Sequence, residues 1–443
     1  MDTAEREHRR ARAAELVDDL LEREVVAVAV TWVDHSGITR VKSVPVAGLP
    51  HAAAHGLGAS PVFDAFLLDD TIVDGRHAGG PVGDLRLHPD LDRLTALAAQ
   101  PGWAWAPGDR YDQAGEPHPQ DERGLARAVA DRLAAHGYEV LAGFEVEWVV
   151  SREDGDGFRP ATTGPAYGHA RQVELSDYAA DLLSALAEQG VEVLQFHPEY
   201  APGQFELSTA PEDPVRAADT TVLVRETVRA VTLRHGMRAS FAPRATATGV
   251  GNGGHLHLSL WRDGRNLFAG GDGRFGMTDE AEWFAAGVLG RLPALCAIGA
   301  PSVASYLRLV PGHWASPFAV WGRENREAAL RLVAGRDLEV RCYDLTANPY
   351  LVVAATAAAG LSGVVDRARL PEPVGVDPAA LPGGARLPVD LEGAVAAFEA
   401  DEVLTEVFGA EFAATVVDVR RGEIARFADC SPEEVAARTR WRH

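Results

Sequence analysis

Apolar and polar positions recur along this chain with two different periods, and the changes of period mark out its elements. The opening stretch MDTAEREHRRARAAELVDDLLERE is charged throughout and predicts an amphipathic helix. VVAVAVTWVD (25–34) is apolar and β-branched, His35-Ser36-Gly37 predicts a turn, and ITRVKSVPV (38–46) alternates again. Together they predict a hairpin. Further strands are expected over 59–69 and 84–88. WAWAPGDRYDQAGEPHPQ (103–120) is dense in Pro, Gly, Asp and Gln and predicts a linker or crossing loop. The pattern divides the chain near residue 110, into a small β-rich unit (1–110) and a larger one (111–443).

In the second unit, Asp121 predicts the cap of a helix whose apolar positions Leu125, Val129 and Leu133 repeat every four residues up to Gly137. Strands are expected at 138–150, 191–208 (a pair), 253–261, 328–333 and 338–344. Helices are expected at 177–189, 211–235, 278–299, 349–367 and 389–408. Strands outnumber what a doubly wound fold needs, and the phosphate-loop pattern GxxxxGK[ST] does not occur. The predicted class is therefore α+β.

Residues two apart on a strand share a face, and this brings out polar pairs on four predicted strands. Glu145 and Glu147 share a face in FEVEW; Glu199 and Glu206 flank the Pro202-Gly203 turn of FHPEYAPGQFE. His255 and His257 pair in GHLHLSL, continued by Ser259, and Glu339 pairs with Arg341 in LEVRCYD. A half-buried strand alternates polar and apolar residues anyway, so a single pair means little. Four strands presenting five glutamates and two histidines to one side require compensating cations or basic side chains. Carboxylate-dominated ligands favour Mg²⁺ or Mn²⁺ over zinc. Arg308, Arg326, Arg331 and Arg341 add guanidinium forks suited to carboxylate and phosphate oxygens. Metals with arginines around phosphates describe a phosphoryl-transfer site.

Composition narrows the partners. The 443 residues allow two or three domains at roughly 150 residues each. A formal net charge of −22 argues against nucleic acid and anionic membranes, which are bound through basic patches. Cys296, Cys342 and Cys430 show no CxxC spacing, which fits a reducing cytoplasm. The charged N-terminal stretch lacks the apolar core of a signal peptide. The apolar run 350–365 is shorter than the roughly 20 residues of a membrane span and reads as a buried helix.

The ordered motifs FEVEW, HPEYAPGQFE, GNGGHLHLSL, YLRLVPG, NREAALR and EVRCYDLTANPYL resemble those of the glutamine synthetases and their γ-glutamyl-amine ligase relatives, over nearly all of 110–370. The resemblance implies a β-grasp N-terminal domain (1–110) and a catalytic domain (111–443) with a curved antiparallel sheet and helices. It also implies homo-oligomeric double rings, commonly dodecamers, with active sites between neighbouring subunits. By motif position it implies that Glu147, Glu199 and Glu206 hold one metal, and Glu145, His255 and Glu339 another. His257 and Ser259 would lie near ATP. Gly251, His255, Arg308 and Arg341 would hold glutamate, and Arg326, Arg331 and Arg341 would contact phosphates. The implied chemistry is ATP-dependent, through γ-glutamyl phosphate, with Mg²⁺ or Mn²⁺.

The departures from the family pattern concern the nucleophile. The loop after RLVPG, which in ammonia-using members carries a glutamate, reads PGHWASP and places Trp314 at that position. VFDAFLLDD keeps Asp64 as a counterpart of the family's N-terminal aspartate but has Ala65 and Phe66 where small hydroxyl residues are expected. Trp314 and Asp64 are thus the expected amine-pocket residues, and the acceptor is expected to be an organic amine: an amino alcohol such as ethanolamine, a monoamine or a polyamine. The GHWA loop leans toward the amino alcohols. The competing readings are a true glutamine synthetase using ammonia and a non-catalytic glutamate-binding paralogue. The last tyrosine is Tyr350, so control by adenylylation of a C-terminal tyrosine is not expected.

Overall fold

The computed structural model describes residues 1–77, 79–152, 155–333, 335–381 and 385–443. Its first six strands form a small sheet: β1 (Ala27–Val33), β2 (Thr39–Pro45), β3 (Leu57–Ala59), β4 (Leu85–Pro89), β5 (Thr95–Ala96) and β6 (Trp103–Tyr111). The order is β2-β1-β6-β4-β3, with β5 on β6. Thr3–Glu22, capped by Asp2, is the first helix and buries Ala13 and Leu20.

Two expectations fail in this unit. The stretch 103–120 is not a linker from its start: β6 is a central strand, parallel to β1 and antiparallel to β4. Its Ala104, Trp105 and Ala106 are buried, and that burial overrides the Pro and Gly content that signalled a loop. Over 59–69 the strand stops at Ala59. Ser60 then accepts from Val62 N at 3.3 Å, and Pro61–Ala65 turns as a 3₁₀ helix.

The larger sheet contains β7 (Glu139–Ser151), β8 (Val193–Pro198), β9 (Gln204–Thr209), β10 (Arg238–Ser240), β11 (Leu256–Arg262), β12 (Arg265–Asn266), β13 (Phe318–Arg323), β14 (Ala328–Val333) and β15 (Asp337–Val340). Its order is β13-β14-β15-β11-β7-β9-β8. Every pair is antiparallel except β13–β14, a departure from the expected antiparallel sheet. Strand β7 organises it: Phe144, Val146 and Trp148 are buried on one face, and the glutamates between them point to the other.

Helices cover the apolar face. Asp279–Gly299 and Pro349–Asp366 are long and apolar enough to cross a membrane by composition, and both are largely buried in the core. Their contact is close because Gly287 and Gly363 meet there: a Cβ on Gly287 would stand 2.7 Å from Gly363 N. The predicted helix 389–408 is two, Leu391–Ala400 and Glu402–Phe408, because the Asp401 side chain caps Leu404 N and restarts the helix.

The small unit docks through the β1–β2 turn. Gly37 has φ +74°, and a Cβ there would lie 1.9 Å from Thr346 O, so the tip fits only as glycine. Asn348 Nδ2 donates to Val33 O at 3.0 Å, and Arg420 Nη1 to His35 O at 2.6 Å. Arg123 clamps the same junction: it reaches Asp219 at 2.9 Å, Asp109 at 2.7 Å and Asp90 at 2.6 Å.

Arg123→Ala leaves Asp219, 0% exposed, without its main counter-charge. Removing one partner of a buried pair costs about 3–5 kcal/mol, so a clearly lower urea midpoint is expected. Burial lowers His35 to about 3 and His88 to about 4. Below the ordinary histidine value the unfolded chain takes up protons that these two refuse, so stability falls as pH drops from about 6.5 toward 4. Denaturation midpoints across that window measure the slope.

Candidate active site

Register assembles the polar face. His197 on β8 lies opposite Glu206 on β9, and Glu206 opposite Glu147 on β7. On the other half, His257 on β11 lies opposite Glu339 on β15, and Glu339 opposite Arg331 on β14. Glu145 joins the two rows, its amide donating to His255 O at 3.0 Å. The β8–β9 turn is closed by Glu199 N donating to Gln204 O at 2.9 Å, which brings Glu199 beside Glu206. Gly203, at φ +73°, makes that reversal possible, and a Cβ there would meet Val150 O at 2.7 Å.

A cavity of about 440 Å³ opens over this face. Glu145, Glu147, Glu199, Glu206 and His255 form its floor; Gly251, Arg308, Arg326, Arg341 and Trp314 complete the walls. Glu339 is fully buried beneath it, hydrogen-bonded to Arg341 and, at 3.0 Å, to Arg331. Two further cavities adjoin. One, lined by His197, Arg326 and Arg331, shares Glu145, Glu199 and Trp314 with the first; the other contains His257, Ser259 and Arg336 and also touches Glu145. His257 and Ser259 thus lie on the opposite side of Glu145 from Arg308 and Gly251. The glycines at 249, 251 and 254 have dinucleotide-loop spacing but lead into β11, not a helix, so that device is absent here.

The electrostatics are those of crowded carboxylates. Burial, then the charges of Glu206 and Glu199, push Glu147 up to about 8. Burial, with Glu145 and Glu199 nearby, pushes Glu206 up to about 7. The hydrogen bond that His197 donates to Glu206 is the main cause holding its ring up at about 9. Burial also raises Glu145, but hydrogen bonds with His255 (2.8 Å) and His257 (3.1 Å) outweigh it and hold the carboxyl well below the usual range. Burial, then Arg341, lowers His255 to about 4, which leaves a neutral imidazole able to bind metal. Burial opposes protonation of His257 too, but Asp337 at 2.8 Å and Glu145 raise it to about 10.

This donor set fits divalent cations. Single atoms of His197, Glu199 and Glu206 lie within 4.8 Å of one another, as do those of Glu145, His257 and Glu339. Oxygen ligands with an occasional imidazole suit a hard cation, and a cation would return Glu147 and Glu206 to the ionised state. The expected set of Glu145, His255 and Glu339 is compatible with this geometry: His255 Nδ1 stands 2.8 Å from Glu145 and 3.4 Å from Glu339, closer than His257 Nε2 at 3.1 and 4.0 Å. Glu147, which lines the same cavity as Glu199 and Glu206, accepts at Oε2 from Gln204 Nε2 at 2.8 Å and from Gly253 N at 2.9 Å.

Arg308 is buried against Gly251 and donates to Arg341 O at 3.1 Å. Trp314 has φ +52° and is 55% exposed; its amide donates to Glu327 Oε1 at 2.8 Å, and its ring meets Tyr200 edge-on at 6.5 Å. Asp64 is not brought to this cavity. It is buried in the small unit, bonded to Arg110 and, at 3.2 Å, to His118. Sequence order does not reveal that Arg110 on β6 bonds this carboxylate. Sequence reasoning gave no role to His197, Gln204 or Asp337. His197 and Asp337 stand two residues from Glu199 and Glu339, so the alternation that found their neighbours also signals them.

The sequence profile described as "Glutamine synthetase, catalytic domain" matches residues 119–437. The chain belongs to the glutamine synthetase family. The Gamma-glutamylpolyamine synthetase GlnA3 of Streptomyces coelicolor is 57% identical over 450 positions, covering 98% of this chain and 97% of that protein. A glutamine synthetase of Methanocaldococcus jannaschii is 31% identical, covering 79% and 82%. Among solved structures, a GmaS/ADP complex superposes with TM-score 0.86 at 32% identity, and a "novel glutamine synthase homolog" with 0.85 at 34%. Each covers 94% of this chain and 97% of its own. The expected family is borne out, as is its mixed architecture of a small N-terminal sheet and a larger catalytic one.

Arg308→Lys keeps the charge but loses the fork that matches a carboxylate. A KM for glutamate raised at least about tenfold, with ATP binding little changed, is the expected outcome in steady-state kinetics.

Proposed function

We propose that this protein is an ATP-dependent glutamate–amine ligase whose acceptor is a polyamine. The observation that carries it is the acceptor end of the cavity, where the aromatic pair Trp314–Tyr200 stands in place of a loop carboxylate. An indole offers no ion pair to ammonium but provides a face for an alkylammonium chain. The 57%-identical polyamine synthetase supports the same acceptor, against the amino alcohol suggested by the GHWA loop. The non-catalytic reading finds no support, since all six matched ligand positions keep Glu or His.

In this reading the glutamate γ-carboxylate attacks the γ-phosphorus of ATP and releases ADP. The amine nitrogen then attacks the γ-glutamyl phosphate carbonyl, loses a proton, and phosphate leaves. Arg308 holds the α-carboxylate and the Gly251 backbone the amino end; His255 orders the carboxylate floor between them. Arg326, Arg331 and Arg341 neutralise charge on the transferring phosphoryl group. Glu145, Glu147, Glu199, Glu206, His255 and Glu339 would hold divalent cations, Mg²⁺ or Mn²⁺, whose charge would stabilise the negative charge that develops in the transfer. His257 and Ser259 would face the nucleotide. The three cysteines are unpaired, which suits a reducing cytoplasm. The 1–110 unit is read as the family's β-grasp domain, and the assembly as a homo-oligomer of dodecamer size, which light scattering checks.

ADP release with glutamate and a panel of spermidine, putrescine, ethanolamine and ammonium tests the acceptor. Polyamines should give the highest kcat/KM; equal efficiency with ammonium would sink the proposal. Trp314→Ala should raise the KM for the polyamine by roughly two- to thirtyfold, the range of a lost cation–π contact, with the KM for glutamate unmoved.

A further inference from the structure

The tip of the β1–β2 hairpin carries chemistry that the reaction does not use. His35 is fully buried, and neither ring nitrogen has a hydrogen-bond partner among the described residues. Asp64 and Glu122 face it: Nε2 is 3.9 Å from Asp64 Oδ1, and Nδ1 is 3.9 Å from Glu122 Oε1. Glu122 Oε1 is itself buried without a partner. Interiors rarely leave such donors and acceptors unpaired, because each costs about 1–3 kcal/mol.

Charge points the same way. Asp64, Asp121 and Glu122 are buried around one guanidinium, that of Arg110. His118 lies 3.2 Å from Asp64 and Arg420 bonds the His35 carbonyl, so what stays unmet is Glu122 Oε1 facing the unpaired His35 ring, which a divalent ion would join. One atom from each of His35, Asp64 and Glu122 lies within 4.8 Å of the others. Ligands bonded at about 2.1 Å to a tetrahedral ion stand roughly 3.4 Å apart, so small side-chain rotations close the set and select the ring nitrogen that binds.

We infer that His35, Asp64 and Glu122 form a structural divalent-cation site, separate from the reaction site, that takes a borderline ion such as Zn²⁺ through one imidazole and two carboxylate oxygens. An imidazole with two carboxylates is softer than the carboxylate floor of the reaction site, so the two sites select different metals. Arg110, bonded to Asp64 and Glu122, orients the ligands from outside. The ion would tie the hairpin tip, the 3₁₀ turn Pro61–Ala65 and the start of the helix Glu122–Ala135, next to the contact of Arg420 with His35 O. Its role is to fasten the small unit to the large one.

The full-length protein, stripped with a chelator and titrated with Zn²⁺ under excess Mg²⁺, tests this by metal content after gel filtration and by Tm. One tight Zn²⁺ per chain is expected in the wild type and in Glu199→Ala, with a raised Tm in both. His35→Asn should lose that ion and the Tm gain. No retained Zn²⁺ in the wild type, or full retention in His35→Asn, overturns the site and leaves protonated carboxyls as the balance of charge. If His35→Asn does not fold, X-ray absorption on Zn²⁺-loaded wild type decides: a shell with one imidazole supports the site, and an all-oxygen or multi-imidazole shell overturns it.

Discussion

Repulsion among carboxylates on one sheet face is the constraint on which this structure depends. Two unit charges about 4 Å apart interact by roughly 4 kcal/mol at an effective dielectric of 20, and five glutamates share the face. The sheet cannot relieve this by rotating side chains, because strand register fixes Glu147 against Glu206 and Glu339 against Arg331. Relief comes from three sources. Guanidinium groups neutralise Glu339, protonated His257 and His197 flank Glu145 and Glu206, and proton uptake by the raised Glu147 and Glu206 removes further charge. A divalent cation held there would take the place of those protons.

The surrounding fold can be read as what keeps that face from relaxing. Trp148, Phe205 and Phe196 stack beneath the β8–β9 hairpin and set its height. Gln204 ties the hairpin to Glu147, Gly251 and Asn252, so one side chain coordinates the floor with the glycine loop. The acceptor end is built differently. Trp314 sits in a left-handed conformation on a loop held by Glu327 and by Ser316, whose hydroxyl donates to Arg326 O at 2.8 Å. In the proposed reading, phosphoryl transfer rests on rigid strands, and acceptor choice rests on a loop that can vary without disturbing them.

Much of this was legible in the chain. Alternation in FEVEW, GHLHLSL and LEVRCYD identified the strands and their functional faces because a sheet buried on one side imposes a period of two. The helix cap at Asp121 was equally plain. What escaped was long-range. The Pro- and Gly-containing segment Trp103–Tyr111 is a strand because β1 and β4 pair with it, and no local signal reports a partner 70 residues away.

Asp64 shows what a motif match can and cannot carry. The aspartate is present where the family pattern expects one, yet Arg110 and His118 occupy its oxygens and no solvent reaches it. A carboxylate committed to a buried guanidinium is costly to draw away, although Glu122 and the Gln120 carbonyl also bond Arg110. In the proposed reading, acceptor recognition falls on groups that are still free to move toward a ligand. Trp314, Tyr200 and Tyr167, each about half exposed, surround Glu199 at the mouth of the cavity. Aromatic faces around one carboxylate favour a cation with an alkyl stem over a small hydrated one, because the stem recovers apolar burial that ammonium cannot offer. In the proposed reading, the loss of an acidic group from the loop is what shifts the pocket toward such a cation.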